Sequence, residues 1–175
     1  MGDLLFEMSQ WLYTTPLNEF AQGVSESTLS VWILSWFWTI PVMQTFHILA
    51  IAATLVAILM LNLRVFGLVG HATLGETADR YNRVFWWALA VVVVSGVSML
   101  FGDTVRNLLN SIFWIKMALI VFGLILAIGY SNGLKRQVAG GPDLAAGGVK
   151  VAGIFLIILW CVIILAGRWI AYAPS

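Results

Sequence analysis

His47 is the residue of this chain with the most chemistry to offer. It lies in an apolar stretch that runs from Leu29 to Leu63 without one Asp, Glu, Lys or Arg. A polar side chain in such a stretch is costly and usually faces the interior of a helix bundle. Met43, His47, Ala50 and Thr54 recur at helical spacing and share one face, and Gln44 borders it. Three readings compete for the histidine. It is a buried structural residue bonded to Gln44, a serine or a backbone carbonyl. It is an axial ligand of b-type haem, which apolar four-helix bundles commonly hold through imidazole. Or it holds copper together with Met43, since thioether and imidazole suit Cu(I). Proton relay or contact with a quinone are further roles for the same ring. His71 does not complete a haem pair, because an extended helix would carry it roughly 36 Å from His47 at 1.5 Å per residue. It reads as a loop histidine. A second axial ligand would have to be Met43, Met99, a residue of a partner subunit, or water.

The elements that position His47 follow from the charges, which fall between four apolar stretches at roughly 30–63, 84–102, 112–132 and 150–170. About 20 apolar residues suffice to cross the hydrocarbon of a bilayer. Hydrophobic residues make up 61% of the chain and charged ones 10%, against about 25% charged in soluble domains. The expectation is an all-α integral membrane protein. Residues 1–175 form one domain, a four-transmembrane-helix bundle with an interfacial leader of N-terminal helices over 1–28. The net charge of +1 supplies no basic stripe for nucleic acid. The single cysteine, Cys161, lies inside the fourth stretch. It allows no internal disulfide and no four-cysteine cluster, and reads as a small packing residue. No phosphate loop, HExxH sequence or Ser–His–Asp motif is present. The chain therefore reads as an electron-transfer or accessory subunit rather than a stand-alone enzyme.

Orientation follows from lysine and arginine. None precedes Arg64; the first connection carries Arg64, Arg80 and Arg83, and the third Lys135, Arg136 and Lys150. Positive loops stay cytoplasmic, which places a multi-pass protein in a bacterial inner membrane with both termini periplasmic. In the leader, Leu4, Met8, Trp11 and Leu12 fall on one face opposite Glu7, Gln10 and Thr14, as in a helix lying on the membrane boundary. Thr15–Pro16 opens a second short helix, proline being tolerated at its first position. These segments either cap the bundle or form a periplasmic docking surface. Pro41 frees the carbonyl of Phe37 and is expected to kink the first span just above His47. Ser95, Ser98 and Met99 bring polar or soft atoms to the second span. Gly123 and Ala127 give the third a small-residue face for close packing.

Lys116 and Arg168 approach the outer leaflet at about the depth of Pro41. Beyond setting orientation, they are candidates to bind haem propionates, a quinone carbonyl or anionic lipid. Arg64 is better placed for phospholipid on the cytoplasmic side.

Three motifs carry a family resemblance. Phe46-His47-Ile48-Leu49-Ala50 leads into Leu61-Asn62-Leu63-Arg64-Val65-Phe66-Gly67-Leu68; the others are Phe113-Trp114-Ile115-Lys116-Met117-Ala118-Leu119 and Ala166-Gly167-Arg168-Trp169-Ile170-Ala171-Tyr172. Over roughly residues 30–172 they resemble the helix signatures of a group of small bacterial inner-membrane proteins with no assigned activity. The resemblance implies a four-helix bundle distantly like the copper-resistance D membrane domain and cytochrome-b-type bundles. It carries over His47, Arg64, Lys116, Arg168 and Trp169. The functional expectation is a membrane redox subunit. It holds haem b, or alternatively copper, through His47 with Met43, Gln44, Lys116 and Arg168 around it. It passes electrons between a periplasmic partner and the quinone pool. The contrasting expectation is a non-catalytic membrane anchor or assembly subunit of a larger complex or homo-oligomer.

Overall fold

The computed structural model describes residues 2–70, 72–140, 146–170 and 172. His71, expected as a loop histidine, and the glycine- and proline-containing run 141–145 lie outside them. Among the described residues eight helices follow one another: α1 (Gly2–Tyr13), α2 (Pro16–Ser25), α3 (Thr28–Ser35), α4 (Thr39–Val65), α5 (Leu74–Gly102), α6 (Thr104–Leu108), α7 (Ser111–Gly140) and α8 (Gly147–Trp169). α4, α5, α7 and α8 are each long and apolar enough to cross a membrane. Going round the bundle they stand in the order α4, α5, α7, α8, with α8 closing back onto α4.

The apolar stretch 30–63 is not one helix. Trp36 adopts an extended backbone (φ −110°, ψ 109°) and ends α3, and α4 restarts at Thr39. Pro41 supplies the reason. Had the helix run on, its ring would have met the Phe37 carbonyl. With the restart it sits in the first turn, where no intrahelical N–H bond is needed. A break replaces the expected kink. The turn exposes Trp36, Phe37 and Trp38, with the last two rings stacked at 4.0 Å.

The other boundaries have local causes too. Gly67, at φ +74°, ends α4 in a Schellman turn: Leu68 N–H donates to Leu63 O and Gly67 N–H to Arg64 O, both at 2.9 Å. Thr73 and Glu76 then form a reciprocal capping box that starts α5, ten residues before the apolar stretch at 84 begins.

The leader packs on one end of the bundle. Thr15, extended at ψ 160°, caps α2, with Pro16 as its first residue. Ser9 donates to Ser111 Oγ (3.2 Å), whose own hydroxyl donates to Leu5 O (3.0 Å). Ser30 donates to Phe101 O at 2.6 Å. Leu12 is therefore turned inward and buried, while Leu4, Met8 and Trp11 remain exposed; the amphipathic face divides between bundle and surroundings.

Inside, α4 is bolted to its neighbours by polar groups. Trp160 of α8 donates its indole N–H to Thr54 Oγ1 (3.2 Å). Tyr130 of α7 reaches across the bundle to donate to Asn62 Oδ1 (3.1 Å), and Asn62 Nδ2 donates to Ile58 O (2.8 Å). Glycines clear the space. A Cβ on Gly123 would lie 2.8 Å from the Trp160 ring, and one on Gly153 would collide with the Asn62 amide oxygen. Gly123 and the buried Ala127 thus serve packing inside the bundle. Cys161 is exposed on α8 rather than packed in the core.

The seat of Asn62 is testable by thermal unfolding in detergent. Gly153→Ala should displace the amide and strand the Tyr130 hydroxyl, a loss of about 1–3 kcal/mol. Gly129→Ala, which meets nothing within 4 Å, should melt at or above the wild-type temperature. Equal melting of Gly153→Ala and wild type would remove this account of the α4–α8 contact.

Candidate functional site

His47 lies eight residues into α4, about 12 Å below its start at 1.5 Å per residue. That places it in the outer third of the helix, toward the end covered by the leader. Its face of α4 packs on α5, where the ring meets Ser95 and Gly96. Ser95 Oγ stands 2.9 Å from His47 Nδ1. A Cβ at Gly96 would come within 3.2 Å of His47 Cε1, so glycine lets the imidazole lie close against the α5 backbone. Gln44, one turn away, is exposed and makes no hydrogen bond to His47.

The hydrogen bonds around Ser95 favour one tautomer. Ser95 Oγ lies 2.5 Å from the Val91 carbonyl oxygen and 3.3 Å from that of Val92, two acceptors that its hydroxyl proton can serve. With that proton on the backbone, Ser95 accepts from the histidine, the arrangement in which Nδ1 is the N–H nitrogen. The Val92 carbonyl also lies against the ring, and Nε2 has no side-chain hydrogen-bond partner among the described residues. An imidazole oriented through one nitrogen, with no side chain on the other, is arranged as a ligand or proton acceptor.

Lys116 enters from α7, five residues from its start. Its side chain lies along α8, where a Cβ on Gly167 would be 3.2 Å from Nζ. The side-chain nitrogen makes no hydrogen bond or ion pair among the described residues. α4, α5, α7 and α8 thus each contribute to one region near the leader end. Arg168 is engaged elsewhere: its guanidinium donates to the Tyr172 hydroxyl at 3.2 Å and lies over that ring. Arg64, at the opposite end, donates through Nε to Ala72 O at 2.9 Å.

The donor set fits haem in part. His47 Nε2 suits one axial position. Met43 does not suit the other, because side chains four apart on a helix lie on one face about 5–6 Å apart, whereas axial ligands approach a macrocycle from opposite sides. The same spacing lets Met43 and His47 converge on a single small ion such as Cu(I). Among the described residues no three His, Cys, Asp or Glu side chains gather to hold a metal. Deeper in, Tyr130, Phe85, Leu61 and Leu156 border a cavity of about 20 Å³, room for one water at most.

The spacing in the sequence had put His47 on an inward face and noted Ser95 as polar. It gave no sign that Ser95 rather than Gln44 is the partner, nor that Tyr130 and Trp160 reach Asn62 and Thr54. Those pairs join helices 68 and 106 residues apart, and no local pattern specifies them.

The model of a family of unknown function, DUF6644, matches residues 37–173 of the chain. No curated protein and no solved structure matches the chain. The distant likeness to copper-resistance D and cytochrome-b-type bundles therefore rests on the sequence motifs alone.

The tautomer has a direct readout in the ¹⁵N spectrum of histidine-labelled protein, recorded where the rings are neutral. Wild-type His47 should show protonated Nδ1 and bare Nε2; Ser95→Ala should shift the population toward protonated Nε2. Protonated Nε2 in the wild type would contradict the assignment.

Proposed function

We propose that this chain, which belongs to the DUF6644 family of unknown function, is a membrane-embedded redox subunit that binds one b-type haem through His47. The observation that carries the reading is an imidazole within a long apolar helix, held through Nδ1 by Ser95 at 2.9 Å and with no side-chain partner at Nε2 among the described residues. The four long helices, of 23 to 30 residues, lie across a bacterial inner membrane. Arg64, Arg80, Arg83, Lys135, Arg136 and Lys150 are on the cytoplasmic side and the leader is on the periplasmic side, as the positive-inside rule requires.

In this reading a haem supplies one-electron transfer between a periplasmic partner and the quinone pool. The chain's residues do the rest. His47 would hold the group through Nε2, with Ser95 at Nδ1 fixing the ring's rotation. Gly96 lets the ring seat deeply, and the apolar helices exclude water. Lys116 offers an uncompensated cation for a propionate, a role for which Arg168 is less available because it is held by Tyr172. Met43 becomes a ligand only in the copper variant of the proposal.

A second reading, a non-catalytic anchor or assembly subunit, is favoured by α7. Only 11% of its most apolar window is buried within the chain, which leaves a broad apolar surface for another membrane helix as well as for lipid.

Visible spectroscopy of protein purified with ample haem supply separates the two. The redox reading expects a Soret band that His47→Ala abolishes, that Ser95→Ala shifts, and that His71→Ala spares. Wild-type protein free of both haem and copper would leave the anchor reading standing. Orientation is checked with an impermeant thiol reagent on intact cells, after replacing Cys161. Cysteines placed at the exposed positions Gln10 and Gln22 should react and one at Ala139 should not; the opposite pattern would invert the topology.

A further inference from the structure

At the end of the bundle opposite the leader, α5 carries a groove of about 510 Å³ lined by Asp79, Asn82, Arg83, Trp86, Trp87 and Ala90. These positions follow the i, i+3, i+4, i+7 pattern of a single helical face, and the face is largely open. Asp79 and Arg83 stand one turn apart, a spacing at which opposite charges on a helix ordinarily pair. Here neither has an ion-pair partner among the described residues. An acceptor and a donor of opposite sign are thus both available in one groove.

Chemistry along the stripe changes in a fixed order. Charge and amide come first, at Asp79, Asn82 and Arg83. Two indoles follow at Trp86 and Trp87, residues that collect at the boundary between headgroups and hydrocarbon. Ala90 then leaves a gap, and the exposed Val93, Val94 and Val97 continue the same side toward the other end. We propose that this groove binds one phospholipid with a zwitterionic primary-amine headgroup. Arg83 and Asn82 take the phosphate, Asp79 takes the ammonium, the indoles flank the glycerol region, and the acyl chains run along Ala90 and the valines. Asp79 and Arg83 are about 6 Å apart along the axis at 1.5 Å per residue, within reach of a phosphate and an ammonium joined by two carbons. The balance of charge selects the headgroup. An anionic lipid would satisfy Arg83 but set a negative charge beside Asp79. A quaternary ammonium has no N–H to donate to that carboxylate.

The proposal is independent of any cofactor at His47, which lies in the other half of the bundle. Its test is native mass spectrometry of the purified full chain. Phosphatidylethanolamine, phosphatidylcholine and phosphatidylglycerol of identical acyl chains are added in turn, with phosphoethanolamine as the tail-free control. Wild type should retain one phosphatidylethanolamine severalfold more than either other lipid, and should not retain phosphoethanolamine. Asp79→Asn should bring phosphatidylethanolamine and phosphatidylcholine to equal retention, and Arg83→Gln should lower retention of all three. Unchanged melting temperatures certify that both variants fold, and Arg80→Gln on a neighbouring face should behave as wild type. Equal retention of the three lipids by wild type would overturn the proposal. So would a phosphatidylglycerol or phosphatidylcholine preference, or a phosphatidylethanolamine preference that survives Asp79→Asn.

Discussion

Polar groups inside an apolar bundle have no water to turn to, and the arrangement of helices follows from where α4 finds partners for its own. His47, Thr54 and Asn62 lie seven and eight residues apart, close to two turns each, so they form one stripe along the inner face of α4. Each meets a different helix: Ser95 on α5, Trp160 on α8, Tyr130 on α7. An interhelical hydrogen bond in a membrane protein contributes only about 0.6 kcal/mol on average, so three of them add little stability. An unsatisfied polar group in hydrocarbon costs several kcal/mol. The stripe therefore acts by excluding alternatives: any slide or rotation of a neighbour leaves a donor or acceptor bare.

The glycines belong to the same constraint. A tryptophan or asparagine can bridge helices only where the facing backbone approaches without a Cβ, and Gly123 and Gly153 occupy those places. Gly96 plays the matching part for the His47 ring. Bundle geometry is thus set by pairs, one large polar side chain and one absent side chain, more than by the apolar pattern. The apolar pattern around α4 and α7 is nearly uniform and gives little guidance on which side faces inward.

That uniformity explains what the sequence could and could not yield. Four charge-free stretches disclose four long helices because hydropathy averages over many residues. The inward face of α4 could be read from His47 and Thr54, which are costly anywhere else. The break at Trp36 was less visible, because both sides of it are apolar and Pro41 alone marks it; a kink and a restart look alike until the fate of the Phe37 carbonyl is known. The ends of α5 and α7 extend past the apolar stretches because a capping box at Thr73 and helical propensity near Lys135 do not register in hydropathy. Of the candidate site, the histidine was legible and its partner was not, since pairing depends on the relative height of α4 and α5.

Among the three bolts, His47 is chemically the odd one. Asn62 uses both ends of its amide, donating to Ile58 and accepting from Tyr130. Thr54 donates to Ile51 and accepts from Trp160. Each donates to its own helix and accepts from a neighbouring one, with both partners within the bundle. His47 needs one nitrogen to hold α5, and a threonine or asparagine with the same reach could make that bond. Imidazole brings a second nitrogen, which has no side-chain partner among the described residues. An amide or a hydroxyl in that place would hold α5 without offering a basic nitrogen. The proposal of ligand chemistry at the His47 end of the stripe rests on that difference, and the Asn62 end needs no such proposal.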